Sequence, residues 1–550
     1  MIDADTDGSA AETSGRPDVP LLAAVVAVGL AARLSSLHVS ALPYNTDAFV
    51  FASSAERLLA AGGVPLDPAA AAAPAADQYL FVTLLAAASE LTGVDPLFVA
   101  QAVVACLAVV PSFVAVVFVR DLTADLPDAH GRAAAAFAGL GLAVEGPSLF
   151  RTMSVSGEVY GLALLAVLVL ALGRAHVTGR RRWVALAVAA GAAMPVAHNL
   201  SALVAGLVLT TVAALALARR PTRRRFAAGA LGVVAFWALT LGYYEAVDLP
   251  KADTAVASLG LFAAWLVFVV ALARWLDASG PRVQRAVPLA AFAGGLALLA
   301  ANALVALYPA RATTSTLLLC LTLPLLAVLA AAALGVPRLA TDRGIAVLAV
   351  VLGPLAALGF GLTAGSTPRY LDLVVRATGF FHLGVLVAAA AGLAALVHRR
   401  PRLGRVAACG VVLALLVSAP LPFLGLQAFP FEPITEPGTF DAATFATTHL
   451  DGTWAADDHV ALVADNYRAA NVTRAPVTAW LRGDAPPPDC PTVARDAWTT
   501  VGAPTATGPV RLNRSAYEAW LMNGSVVYDG GTDRAVVRWA PGTCRAGVSP

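Results

Sequence analysis

Charge is what this sequence has least of. Only 13% of its 550 residues are Asp, Glu, Lys or Arg, about half the ~25% of an average soluble domain. With 59% hydrophobic residues beside that figure, a water-soluble chain is excluded. A net charge of +2 over this length offers no basic face for phosphates, which excludes nucleic-acid binding. Lysine is almost missing: Lys251 is the single one, and 36 of the 37 basic residues are Arg, which reads as the bias of a GC-rich genome. No Walker loop is present, so the chain alone is not an ATP-driven pump. The first residues carry Asp3, Asp5, Asp7 and Glu12 and no basic stretch, so residues 1–18 read as a disordered cytoplasmic tail rather than a signal peptide. Cysteine is scarce too: Cys106, Cys320 and Cys409 fall inside apolar runs and read as packing residues.

What is abundant is apolar blocks of about 17–25 residues, the length that crosses a ~30 Å hydrocarbon core. They lie near 19–40, 95–119, 132–149, 157–175, 183–197, 199–218, 226–244, 256–275, 286–308, 312–334, 344–364, 376–397 and 404–426. The expected architecture is an all-α polytopic membrane domain over 19–426 with about 13 transmembrane helices. The fifth span is the shortest, and Met194-Pro195 interrupts it before His198. Counting it as a crossing, with the N-terminus inside, puts 21 Arg on the cytoplasmic side and 6 Lys or Arg on the outer side. Basic residues near span ends resist translocation, so this bias supports the count. The expected location is the cell membrane, in contact with bilayer lipid.

Residues 427–550 change character, with 13 Asp or Glu and 9 Arg in 124 residues. They form a small extracytoplasmic domain, of mixed α and β type. Alternating stretches at 460–463, 525–528 and 534–539 read as strands, and 515–522 as a helix. Three of the four Asn in this region open glycosylation sequons, at Asn471, Asn513 and Asn523, which agrees with an outward placement. In an oxidising compartment Cys490 and Cys544 either pair or remain two free thiols. A solvated loop accounts for His449, Asp457, Asp458 and His459.

Polar residues inside a membrane are costly, so those retained near span ends point to function. The first outer loop, 41–94, is the longest between spans and holds Asp47, Glu56, Asp67, Asp77 and Glu90 against Arg57. Asp47 follows the first span and precedes a helix-like stretch ending at Gly62-Gly63. Taken alone, it reads as an N-cap. Glu158 opens the fourth span, either as a site residue or as a partner of the helix dipole. Arg151, Arg369 and Arg376 are the outer cations able to meet a phosphate, or else to snorkel to lipid headgroups. His198 at the helix break either binds a phosphate or sugar or donates a structural hydrogen bond. Arg33 and Glu145 are the main charges within spans.

These features together resemble the GT-C superfamily of polytopic glycosyltransferases, such as protein O-mannosyltransferases and lipid A aminoarabinose transferases. The resemblance rests on an Arg-containing first span, Asp47 just after it and a long first outer loop with Gly-Gly after a helix. It rests also on Gln78-Tyr79-Leu80, on Thr-Pro-Arg369-Tyr370 in a late outer loop, and on a soluble domain after the last span. It implies an inverting enzyme that moves a sugar from a polyprenyl-phosphate donor to an acceptor on the outer face. Asp47 would be the catalytic base and Glu158 a second catalytic acid, with Arg151, Arg369, Tyr370, Arg376 and His198 binding substrate. No Asp-x-Asp accompanies Asp47, which leaves a divalent metal open and its ligands unknown. Trp454-Ala455-Ala456-Asp457 is only a distant echo of the oligosaccharyltransferase Trp-Trp-Asp. Two other readings stand beside this one: a transporter or flippase of lipid-linked sugars, and an inactive scaffold in cell-surface glycan assembly.

Overall fold

A computed structural model describes residues 18–63, 76–248, 258–307, 312–365, 367–505, 507–531, 535–542 and 544. The acidic tail to Pro17, and Asp67, Lys251 and Arg311, fall outside the described residues. The membrane part runs α1 (Val19–Leu34), α2 (Asp47–Ala60), α3 (Tyr79–Thr92), α4 (Pro96–Leu122), α5 (Asp128–Val144), α6 (Gly146–Met153), α7 (Gly157–Thr178), α8 (Arg181–Ala197), α9 (Asn199–Arg219), α10 (Arg223–Ala246), α11 (Leu259–Ala278) and α12 (Pro281–Leu304). It continues with α13 (Thr316–Leu339), α14 (Ile345–Ala364), α15 (Pro368–Ala377), α16 (His382–Arg399) and α17 (Pro401–Ser418).

Among the described residues, 11 helices are long and apolar enough to cross a membrane. The pair α5 and α6, bent by 56° where Glu145 breaks the helix, makes up to 12. The remaining expected span, α8, has 17 residues and so reaches only about 25 Å at 1.5 Å per residue. The count of thirteen is therefore approximate, yet ion pairs show that α8 does run from one helix end to the other. At one face Arg174 meets Asp121 at 2.9 Å, Arg338 meets Asp125 at 2.8 Å and Arg220 meets Asp342 at 2.7 Å, with Arg219 bonded to Asp277. At the other face the start of α7, the end of α8 and the end of α15 meet through Glu158, His198 and Arg376. Since α7 and α9 each join one face to the other, α8 must return between them.

The three apolar-run cysteines do not pack inward: Cys106, Cys320 and Cys409 are exposed on their helices. The tightest helix pair is α13 against α16, where a Cβ on Gly335 would fall on the Ala388 carbonyl, and one on Gly392 would lie 2.5 Å from Ala331 O. Small residues let these backbones touch.

The polar region contains α18 (Pro437–His449), α19 (Asp458–Arg468), α20 (Ala475–Arg482) and α21 (Arg514–Met522) around a five-stranded sheet. Its strands are β1 (Trp454–Ala455), β2 (Val472–Thr473), β3 (Thr492–Arg495), β4 (Ser525–Asp529) and β5 (Ala535–Trp539), in the order β2-β1-β3-β5-β4. β2, β1 and β3 run parallel, and β5 joins β3 and β4 antiparallel. One face packs on Ala442, Val460 and Ala464, the other on Trp480, Trp498 and Trp520. Cys490 and Cys544 form a disulfide on the second face. The stretch 460–463, expected as a strand, lies in α19. Its buried positions Val460, Ala461, Val463, Ala464 and Tyr467 follow a helical period, which the four-residue window was too short to show.

This domain sits on the segment that joins α1 to α4. Phe49 stacks on Phe440 with centroids 5.5 Å apart, and Tyr467 Oη donates to Glu56 at 2.8 Å. Arg468 pairs with the same carboxylate at 3.1 Å, and Asn466 donates to Thr46 O at 3.0 Å.

Candidate functional site at the outer helix ends

Four of the expected site residues converge where α6, α7, α15 and the α8/α9 break meet. Glu158 sits in the first turn of α7, 4% exposed, and its Oε2 accepts from Arg376 Nε at 3.0 Å. Arg376 Nη2 lies 2.9 Å from His198 Nε2. A guanidinium only donates, so Nε2 accepts and the proton of the neutral ring sits on Nδ1, which donates to Ser201 Oγ at 2.9 Å. In that tautomer the Ser201 N–H, 3.2 Å from Nδ1, is not a hydrogen bond. His198 is held there by its extended backbone between two helices. Arg151, on α6, lies within the electrostatic reach of Glu158, Arg376 and Asp372. Glu158 Oε1 is buried and has no hydrogen-bond partner among the described residues. A buried carboxylate oxygen left unbonded is a place for a donor to arrive.

Other expected residues stand around this centre. Arg369 is exposed at the start of α15, and Tyr370 packs edge-on to Phe360 at 5.8 Å. Asp47 is exposed at the start of α2, with Asn45 Nδ2 at 3.4 Å. It is not the N-cap: that position belongs to Thr46, and no side-chain cap bond is made. No hydrogen bond or ion pair among the described residues joins Asp47 to Glu158 or to the arginines. Its segment is nonetheless tied to the centre, because Val155 N–H donates to Tyr44 O at 3.0 Å.

Several positioning residues were not expected. Gln101, 1% exposed within α4, accepts from Tyr44 N at 2.9 Å and donates to the carbonyls of Arg33 and Met153, both at 3.1 Å. A lone Gln inside a 27-residue apolar helix was the available signal. Gln78 Oε1 accepts from Gly157 N at 2.8 Å, and Asn199 Nδ2 donates to Asp77 Oδ2 at 2.8 Å. The returning end of the first outer loop is thus clamped to both sides of Glu158. Below it lies a cavity of about 30 Å³, lined by Arg33, Ser148, Arg151, Thr152 and His382 among apolar side chains. Arg33 donates to the carbonyls ending α5, and His382 pairs with Glu145 at 2.9 Å. Both residues thus have polar partners, carbonyls for Arg33 and the His382 ring for Glu145.

Among the described residues, no group of three His, Cys, Asp or Glu side chains is placed to hold an ion. In the outer domain, Asp457 and His459 are buried rather than solvated, which corrects the loop reading. Asp457 caps α19 and accepts from Arg495 at 2.9 Å and Trp498 at 2.6 Å, while Arg495 also donates to Glu432 at 2.6 Å. That carboxylate is fully engaged and faces no acceptor.

No family model matches the sequence, and no curated relative does. Solved structures do. An oligosaccharyltransferase from Archaeoglobus fulgidus, solved with Zn and sulfate, superposes with a TM-score of 0.51 at 11% identity, covering 82% of this chain and 62% of its own. ArnT from Cupriavidus metallidurans bound to undecaprenyl phosphate matches with a TM-score of 0.38 at 15% identity, over 95% of this chain and 98% of its own. Mycobacterial arabinofuranosyltransferase AftD gives 0.40 at 18% identity, over 80% of this chain and 31% of its own. The chain spans about 62% of the length of the archaeal oligosaccharyltransferase it matches. At these identities the likeness concerns the fold.

Proposed function

We propose that this multi-pass membrane chain, whose fold is that of the GT-C polytopic glycosyltransferases, transfers a sugar from a polyprenyl-phosphate donor to an acceptor at the outer face. The observation that carries the reading is Glu158, buried, half bonded, paired with Arg376 and within electrostatic reach of Arg151. Arg376, bonded to Glu158, and Arg151, within its electrostatic reach, put guanidiniums where an anion can dock. A lipid phosphate at the bilayer surface supplies that anion. Glu158 holds Arg376 in place, and its free Oε1 accepts from a sugar or acceptor hydroxyl. Asp47, exposed and hydrated, takes the acceptor proton as the bond from acceptor to anomeric carbon forms. The carbon–oxygen bond to the phosphate breaks, and the polyprenyl phosphate leaves against the guanidiniums. Configuration inverts because attack and departure are in line. The Arg distribution supports an N-terminus inside and a C-terminal domain outside.

A flippase reading finds one polar feature, the cavity beside Arg33 and His382. At about 30 Å³ it is far smaller than the ~300–1,000 Å³ of a ligand pocket, which favours surface chemistry over passage of a sugar. The test is transfer from radiolabelled polyprenyl-phosphate sugars in membranes holding the wild type, Asp47→Ala or Arg376→Ala at equal level. Loss of transfer by a factor of about 100 or more is expected for Asp47→Ala, the scale of one acid–base group. Full transfer by Asp47→Ala overturns its role, and no transfer from any such donor by the wild type overturns the reading.

A further inference from the structure

The outer sheet has two open edges, and each carries a sequon. Among the described residues β2 pairs only with β1, and Asn471-Val472-Thr473 forms that edge. Likewise among them β4 pairs only with β5, and Asn523-Gly524-Ser525 leads into it. An open edge is a template for pairing with another chain, and proteins blunt it with Lys, Pro or a cover. β4 has neither residue: Ser-Val-Val-Tyr-Asp presents Val526 and Val527 at 46% and 45% exposure, beside Met522 at 80% and Trp539 at 46%. A bulge between Val526 and Tyr528 interrupts the pairing on its inner side but leaves this apolar edge bare.

The asparagines are presented for modification. Asn471 and Asn523 are exposed, and neither side-chain amide makes a hydrogen bond among the described residues. Behind Asn523, Arg538 donates to the carbonyls of Trp520 at 3.1 Å and Asn523 at 3.3 Å, pinning the backbone from the buried side. A Cβ on Gly524 would lie 2.4 Å from Arg538 Nε, so a larger residue in the middle of the sequon would have to push that guanidinium aside. Asn513 differs: its Oδ1 is engaged as the cap of α21, accepting from Ser515 N at 2.9 Å and Oγ at 2.6 Å.

We infer that Asn471 and Asn523 carry N-linked glycans that cover the two sheet edges and keep the outer domain from pairing with itself. Attachment joins Asn Nδ2 to the anomeric carbon of a saccharide linked to a lipid phosphate or pyrophosphate. The anomeric carbon–oxygen bond breaks, the carrier leaves as its phosphate, and one amide proton passes to a base of the transferring enzyme. The inference requires the outer domain to face away from the cytoplasm and is independent of any transferase activity of this chain.

The experiment takes full-length protein from its native membrane and maps the peptides holding residues 471 and 523 by mass spectrometry. Asn471→Gln, Asn523→Gln, Thr473→Ala and Ser525→Ala are compared, the last two keeping each Asn but removing the hydroxyl. The expected result is a saccharide mass on both peptides, lost one at a time in the single variants. The double variant Asn471→Gln/Asn523→Gln should shift to dimers and larger species in light scattering. Bare asparagines at both positions, in a domain that external protease reaches, overturn the inference while leaving the topology intact. Bare asparagines in a domain that protease does not reach overturn it through its premise. Glycans present but a double variant of unchanged oligomeric state overturns the covering role.

Discussion

At the scale of single residues, Gln101 shows how much of the site depends on one amide. It satisfies Tyr44 N, Arg33 O and Met153 O at once, from a position 1% exposed. Those three groups belong to the first outer loop, the end of the first span and the segment leading to Glu158. Gln101→Leu keeps a similar volume and leaves all three backbone groups unbonded. With each buried orphan costing about 1–3 kcal/mol, the variant should lose about 3 kcal/mol or more, read as a lowered melting temperature in detergent. An unchanged melting temperature would show that water replaces the amide. Glu158, Arg151, His198 and Arg376 were legible because a polar residue at a span end stands out against apolar surroundings. The pairings of Asp77, Gln78 and Asn199 were not, because they reach across 79 and 122 residues and no local pattern encodes them. Asp47 was the leading catalytic candidate in the sequence and Arg376 one of three candidate cations, yet of the two it is Arg376 that is joined directly to Glu158.

At the scale of elements, hydropathy located the helices because bilayer thickness imposes a length on each, and every expected span corresponds to helix. It did not show where helices touch, since lipid and protein interior are equally apolar. Gly335 and Gly392 mark the clearest case. At their crossing Gly335 has no room for a methyl before the Ala388 carbonyl, and backbone cannot yield as a side-chain tip can. Gly335→Ala must push α13 from α16 and should destabilise the membrane domain by about 1–3 kcal/mol. Gly294→Ala, on α12 with open space around its Cβ position, is the matched control and should leave the melting temperature unchanged. Equal melting temperatures for the two variants would contradict the close crossing. Likewise the strand expected at 460–463 became helix because the burial that decides between the two comes from the sheet beneath it.

For the whole molecule, the C-terminal domain should answer to acid through a buried titrating network of its own, His459, Glu432, Asp457 and Arg495. Burial pushes the His459 ring below its ordinary value, against the nearby Glu432 carboxylate. The folded domain therefore keeps His459 neutral where the unfolded chain binds a proton, so stability falls as pH drops below about 6.5. Burial alone would raise the Asp457 carboxyl, but Arg495, His459, the Val460 N–H and Trp498 together hold it below its ordinary value. Its contribution is present above about pH 3.9 and is lost as pH falls further, through the depressed folded value. Two steps of the same sign result: a first weakening below about pH 6.5, and a second below about pH 4. The Cys490–Cys544 bridge limits how far the chain opens but does not alter either protonation. Hydrogen exchange of α19 and β3 between pH 7.5 and 5 should rise well before that of α14 and α16. His459→Gln, which keeps a neutral polar side chain, should remove the first step and leave the second. Exchange that rises equally in both domains, or a first step that survives in His459→Gln, would place the acid-sensitive group elsewhere.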